Sequence, residues 1–190
     1  MINTHSKSMI SQGYLQLIIG PMYSGKTSEI IQLHKEYSFC NIKCCVINYA
    51  EDKRYSNDML STHDKNMIKC NNIINLDDFL TEELINSYDV FLINEGQFFK
   101  NLKINILKLV EDYKKNVHVC GLDGDFKRNG FGEILELIPL CDDILKKKAF
   151  CSICKNGTEA LFSKRLVNSD NIKLIGSDIY KPLCRTCYKK

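Results

Sequence analysis

Apolar residues come in short, nearly unbroken runs separated by longer amphipathic stretches. The runs Tyr14-Leu15-Gln16-Leu17-Ile18-Ile19, 42–49, Val90-Phe91-Leu92-Ile93 and 117–122 have strand length, and most are rich in β-branched residues. Runs with so little alternation predict strands buried on both faces, as in a parallel sheet covered by helices. Between them, Ile30, Leu33, His34 and Tyr37 fall at helical spacing within 25–37, and Leu102, Ile106, Leu109, Val110 and Tyr113 form a second stripe. Both predict helices with one buried face. A single short helix is expected over 77–87, packing Phe79, Leu80 and Leu84, and another over 134–140, ending near Pro139. Residues 56–75 are polar without a sustained period and read as an irregular connection. Strand and helix in alternation predict an α/β fold, a parallel sheet flanked by helices over 14–148. A disordered tail is expected at 1–13 and a small separate unit at 149–190.

Composition changes this picture in two places. The 190 residues carry 26 basic and 23 acidic side chains, a net charge of +3. So even a balance argues against a stable nucleic-acid partner or a membrane surface. No run is long enough to span a bilayer, and 1–13 lacks the apolar core of a signal peptide, so a cytoplasmic protein with reduced thiols is expected. The second place is the cysteines, ten in all. Cys40, Cys44, Cys45, Cys70, Cys120 and Cys141 are scattered and read as small buried apolar groups. Cys151-x-x-Cys154 and Cys184-x-x-Cys187 supply four thiolates, the ligand set of a closed tetrahedral structural Zn²⁺ site of zinc-ribbon type, with 160–167 and 172–175 as a hairpin-like segment between. A redox-active C-x-x-C is the competing reading.

The main chemistry sits where strands end. Gly20-Pro21-Met22-Tyr23-Ser24-Gly25-Lys26-Thr27 fits G-x-x-x-x-G-K-[ST] and lies directly between the first strand and the first helix. That context makes a phosphate-binding loop. Free N–H groups at the helix start attract anions, Lys26 reaches the outer phosphates of a nucleoside triphosphate, and the Thr27 hydroxyl is placed to ligate Mg²⁺. The polar stretch 51–56 leaves the same end of the sheet, with Asp52, Lys53 and Arg54 available to phosphate or simply solvated. Asn94-Glu95-Gly96-Gln97-Phe98-Phe99 begins where the third strand ends, the position of the acidic metal-binding step in phosphate-loop enzymes. Glu95 is the only carboxylate there and the candidate general base for a hydroxyl acceptor. Phe98 and Phe99 are either substrate surface or core. A Gly-rich charged loop at 123–132, with Lys127 and Arg128, suits a substrate wall.

Taken in order, 17–27, Tyr49-Ala50-x-Asp52-x-Arg54-Tyr55, Thr62-His63-Asp64, Glu95-Gly96-Gln97-Phe98-Phe99, Leu122-Asp123-Gly124-x-Phe126, Phe131-Gly132, Lys164-Arg165-Leu166 and Cys184-Arg185-x-Cys187-Tyr188 resemble the type II thymidine kinases, the cellular cytosolic and poxvirus-like family. The resemblance runs from about Tyr14 to Tyr188. It implies a thymidine kinase that uses ATP, Mg²⁺ and a structural Zn²⁺, acts as a homotetramer and is inhibited by thymidine triphosphate. Glu95 matches the family's catalytic base. Gly20 to Thr27, Asp52, Lys53, Arg54, Asn94 and Gln97 match nucleotide-site positions, and Phe98, Leu122 and Phe126 match the thymidine pocket. The excursion between the cysteine pairs matches the family's lasso, which grips the base, with Ile172, Lys173, Leu174, Ile175, Gly176 and Tyr180 lining the nucleoside. The family carries Asp before the catalytic Glu, whereas this chain has Asn94. An amide can orient metal-bound water but brings no charge, so a higher Mg²⁺ requirement is expected, with Asp123 as a compensating carboxylate. A nucleic-acid module read by the zinc ribbon is the rival from another class. A kinase of this fold acting on another nucleoside, such as deoxyuridine, is the nearer alternative.

Overall fold

The computed structural model describes residues 12–50, 59–61, 66–167 and 179–190. Strand β1 (Tyr14–Ile19) leads through the phosphate loop into α1 (Lys26–Phe39) and then β2 (Cys44–Tyr49). Strands β3 (Met59–Ser61) and β4 (Met67–Lys69) pair antiparallel, and β5 (Asn71–Ile73) follows. Helices α2 (Leu76–Phe79) and α3 (Glu82–Ser87) precede β6 (Val90–Ile93), α4 (Leu102–Leu107) and β7 (Asn116–Gly121), and β8 (Asp143–Lys146) closes the sheet. The six-stranded sheet has the order β5-β2-β6-β7-β1-β8, and every pairing in it is parallel. Every strand therefore points its carboxyl end to the same edge, where ligands bind in such sheets.

The continuous apolar runs follow from burial on both faces. Leu15, Leu17, Ile19, Phe91, Ile93, Val117 and Val119 point to one side and pack with Leu102, Ile106, Leu109, Ile134 and Leu137. Ile18, Val90, Leu92 and Cys120 point to the other, against Ile30 and Ile31 of α1 and Leu60 and Ile68 of the β3/β4 pair. Each fully buried aliphatic side chain contributes about 1.5–3 kcal/mol. His118 joins this second face: its ring nitrogens meet the Gln16 amide oxygen at 2.8 Å and the Tyr37 hydroxyl at 2.9 Å. Burial pushes its pKa down to about 4.

Several elements differ from the sequence expectation. The stretch 56–75 holds β3, β4 and β5 among its described residues, and β5 extends the sheet by pairing with β2. Three-residue strands are too short to show a period, and Asn71 and Asn72 are weak strand formers recruited by a distant partner. The helix expected over 77–87 is two, because the Thr81 side chain accepts a hydrogen bond from the Leu84 N–H and starts a second helix. The 102–113 stripe is α4 followed by a wider π turn over Lys108–Asp112. Residues 143–146, assigned no element from sequence, form β8, an edge strand beside β1.

Beyond β8, β9 (Ala149–Phe150) pairs with β10 (Glu159–Ala160), and β11 (Phe162–Arg165) pairs with β12 (Tyr180–Leu183), which runs into α5 (Arg185–Lys189). The partner of β11 is thus β12; residues 172–175 lie outside the described ones. This small unit has its own core of Ala149, Cys151, Ala160, Leu183, Cys184 and Cys187.

Candidate active site

The phosphate loop is shaped by left-handed backbone and by pressure from β8. Gly25 stands at the start of α1 with φ 78°. Gly20 has φ 155°, and a Cβ there would lie 2.3 Å from the Lys147 carbonyl oxygen, so no side chain fits. Tyr23 is left-handed as well, with φ 63°. Pro21, Met22 and Tyr23 form the turn, and the Lys26 ammonium, itself buried, donates to the Pro21 carbonyl at 2.7 Å. The Ser24 hydroxyl is buried and has no hydrogen-bond partner among the described residues, in a loop that opens a fourteen-residue helix. A buried orphan hydroxyl, a lysine and a helix start fit an anionic phosphate group. Thr27, in the first turn and half-buried, is the hydroxyl that fits Mg²⁺ beside it.

Side chains from the neighbouring strand brace this loop. Lys147 Nζ pairs with Glu29 of α1 at 2.6 Å. Lys146 pairs with Asp123, and because the order is β7-β1-β8 this ion pair straddles the end of β1. Burial and the nearby Lys26 charge push the Lys146 ammonium below its ordinary pKa. The Asp123 carboxylate expected to offset Asn94 is thus already matched by a cation.

At the end of β6, Asn94 is buried and held through both side-chain atoms. Its Nδ2 donates to Asn48 Oδ1 at 2.8 Å, and its Oδ1 accepts from the Cys120 thiol at 3.0 Å. Asn48 in turn donates to Asn72 Oδ1 at 2.9 Å. Burial pushes the Cys120 thiol up to about 12, with the Lys26 charge pulling it down. Glu95 adopts left-handed backbone with φ 57°, a conformation that costs a non-glycine residue about 1 kcal/mol or more. Gln97 fixes its carboxylate: Nε2 donates to Glu95 Oε2 at 2.6 Å while Oε1 accepts from the Leu122 N–H at 2.9 Å. Gly132 makes room for this bridge, with φ +61° and the Gln97 carbonyl 2.1 Å from where a Cβ would stand.

Aromatic groups flank the carboxylate. The Phe98 ring lies 5.2 Å from Tyr49 and 5.3 Å from Phe131, while Phe99 is buried in the sheet core. Phe99 is core, one of the alternatives open from sequence, and Phe98 is half-buried and packs against the margin of the same cluster. Phe126 sits in a loop organised by buried Asp125, whose carboxylate accepts from the Lys127 and Asn129 N–H groups at 2.8 Å each. The Arg165 guanidinium stacks 3.8 Å from the Phe126 ring centre and donates to the Tyr180 hydroxyl at 2.6 Å. Arg128, in the same loop as Phe126, lies over the Tyr188 ring at 4.8 Å. Asp52, Lys53, Arg54, His63 and 172–176 lie outside the described residues.

Cys151, Cys154, Cys184 and Cys187 converge, with all four sulfurs within 4.8 Å of one another. Cys154 Sγ is 3.8 Å from Cys184 Sγ and 3.5 Å from Cys187 Sγ. A tetrahedron of Zn–S bonds requires S···S of about 3.8 Å, so the set fits zinc. Burial raises the Cys151 thiol, but N–H groups of Cys154, Cys184 and Ile153 outweigh it and bring the pKa down to about 6. The facing thiols hold Cys187 up to about 12. Zn²⁺ would be held by all four sulfurs as thiolates, so its binding would release protons from this cluster.

Sequence reasoning passed over Ser163, Arg165 and Lys147. Arg165 stood inside a quoted motif, but Ser163 and Lys147 act through backbone groups distant in sequence, and no local signal marks them. The Ser163 hydroxyl accepts from the Met22 N–H at 2.9 Å, tying the phosphate loop to β11.

Comparison with known proteins bears on residues 13–188, which match the family model described as thymidine kinase. A thymidine kinase of Myxoma virus (strain Uriarra) is 42% identical over 177 residues, 93% of this chain and 96% of its own. That of Vaccinia virus (strain Ankara) is 42% identical, covering 93% and 97%. Thymidine kinase 1 of Dictyostelium discoideum is 40% identical over 181 residues, covering 93% of this chain and 78% of its own.

Proposed function

Because the chain belongs to the thymidine kinase family, we propose that it transfers the γ-phosphoryl group of ATP to the 5′-hydroxyl of thymidine, giving thymidine monophosphate. The single observation that carries the chemistry is the Glu95–Gln97–Leu122 bridge beside the phosphate loop. It presents a carboxylate held in strained backbone at the edge where the Lys26 loop opens.

In this reading the loop amides, Ser24 and Lys26 bind the phosphate chain, Lys26 exchanging its Pro21 carbonyl for phosphate oxygen. Thr27 and Asn94 would hold Mg²⁺, directly or through water, and the ion would supply positive charge to offset the outer phosphates. Glu95 accepts the proton of the attacking 5′-hydroxyl, and Gln97 keeps the carboxylate turned toward it. Phe98, Leu122, Phe126 and Tyr180 wall the nucleoside, with 172–176 covering the base. Asp52, Lys53 and Arg54 supply further contacts to the nucleotide. The unit at 149–190 is a lasso domain anchored by Zn²⁺, beside a kinase domain at 14–148. A cytoplasmic homotetramer is the assembly that the family resemblance suggests.

Phosphoryl transfer from ATP with Mg²⁺, measured against a panel of nucleosides, tests the proposal. Thymidine as the preferred acceptor supports it, and deoxyuridine preference corrects the nucleoside. Hydrolysis of ATP stimulated by single-stranded DNA, with no nucleoside product, overturns it.

A further inference from the structure

The cysteine-bearing unit touches the phosphate loop as well as the nucleoside wall. Met22 directly precedes Tyr23, whose left-handed backbone is strained for a side-chain-bearing residue. Such a turn persists only where its surroundings hold it. Lys26 Nζ holds the Pro21 carbonyl on one side, but that ammonium is also the group expected to move to phosphate. The other restraint is the Ser163 hydroxyl on the Met22 N–H, 2.9 Å long, and Ser163 is 5% exposed.

Ser163 is in turn fixed by the cysteine unit. It faces Pro182 in the β11/β12 pairing, and the Pro182 carbonyl accepts from the Ser152 N–H at 3.0 Å, between the first two cysteines. Two residues beyond Pro182 the chain reaches Cys184, whose sulfur accepts from the Cys187 N–H. Lys164 donates to the Tyr188 carbonyl at 3.2 Å, clamping β11 onto α5. Strand pairing and hydrogen bonds thus link the cysteine cluster through β12 and β11 to the loop.

We propose that Ser163 is a positioning residue for nucleotide binding: its hydroxyl, held by the cysteine-bearing strands, keeps the phosphate loop in its binding shape before ATP arrives. This rests on the kinase reading above only for the identity of the nucleotide. The loop amide of Met22 is thereby engaged by Ser163. Removing one such restraint allows the loop to relax, and a net hydrogen bond to a backbone group corresponds to roughly a fivefold change in affinity.

The test is direct binding of an N-methylanthraniloyl ATP with Mg²⁺, followed by fluorescence, to the full chain and to Ser163→Ala, Ser163→Cys and Ser163→Thr. The expected result is affinity roughly fivefold weaker in the alanine variant, weakened similarly in the cysteine variant because a thiol is a poor acceptor, and retained in the threonine variant. Steady-state kinetics should show a higher KM for ATP with a smaller change in kcat. The cysteine variant preserves volume, so it remains informative if alanine impairs folding. Equal nucleotide affinity in wild type and the cysteine variant overturns the proposal. Absence of thymidine phosphorylation by a wild type that binds the ATP probe would instead fault the kinase reading and leave the Ser163 comparison intact.

Discussion

The sheet and the cysteine unit are held together by different means. The sheet buries two large apolar clusters, one on each face, and its strands are held by each other, the covering helices and the β3/β4 pair. Among the described residues at 149–190 the apolar core is only six residues, three of them cysteine, and cations lie over rings, such as Arg185 over Phe162. At about 40 residues a chain segment rarely builds a sufficient core without a metal or disulfide. The contrast teaches where each kind of perturbation should act: packing defects on the sheet, thiol chemistry on the small unit.

Metal removal should break the comparison most sharply. Zinc analysis is expected to return about one ion per chain, and chelation or Cys184→Ser should loosen β11, β12 and α5 while the sheet stays folded. Thymidine affinity should fall most and ATP affinity less. Full activity in metal-free protein would show that the small unit holds itself together. The opposite cut lies within the sheet edge: Glu95→Gln should lower kcat by roughly 10²- to 10⁴-fold with zinc content, melting temperature and ATP binding nearly unchanged. Activity within a few-fold of wild type would remove Glu95 as the base.

Acid should probe the sheet through His118. At a pH above the ordinary histidine value of about 6.5 the imidazole is neutral whether folded or unfolded, and nothing is lost. As pH falls from there to about 4, the unfolded chain takes up a proton that the buried ring refuses. Stability therefore declines with falling pH by about 3 kcal/mol in total. Denaturant melts across this range should show a shallower decline for His118→Gln; identical slopes would mean that other groups govern the acid limb.

The smallest expected effect is at Asn94. Asn94→Asp should lower the Mg²⁺ concentration needed for half-maximal rate by roughly 10-fold. It should also cost about 1–3 kcal/mol of stability, because the carboxylate loses the donor that Asn48 accepts. Superimposable Mg²⁺ curves would show that charge at this position is immaterial.

What the sequence displayed was local. The phosphate loop, the Glu95 step and the four cysteines each carry their chemistry within a few residues, and the buried strands announce themselves by unbroken apolar runs. The edge strands did not. Asp143-Ile144-Leu145-Lys146 is mostly exposed and becomes a strand only because β1 lies beside it. Asn71-Asn72-Ile73 is likewise recruited by β2. Ser163 reads as an ordinary strand residue until its distance from Met22 is known. Its role depends on two segments 141 positions apart, which no spacing rule reports.

The side-chain chain from Cys120 through Asn94 and Asn48 to Asn72 crosses four strands, and all its donors point one way: thiol to Asn94, Asn94 to Asn48, Asn48 to Asn72. A chain of this kind has a sense, like a row of arrows, and one member cannot reverse without the next. Positions 72, 48, 94 and 120 are therefore expected to vary together among relatives, each combination keeping a complete donor-to-acceptor sequence. A relative with an acid at position 94 should then carry a donor at position 48, making residue 94 one letter of a four-letter word spelled across the sheet.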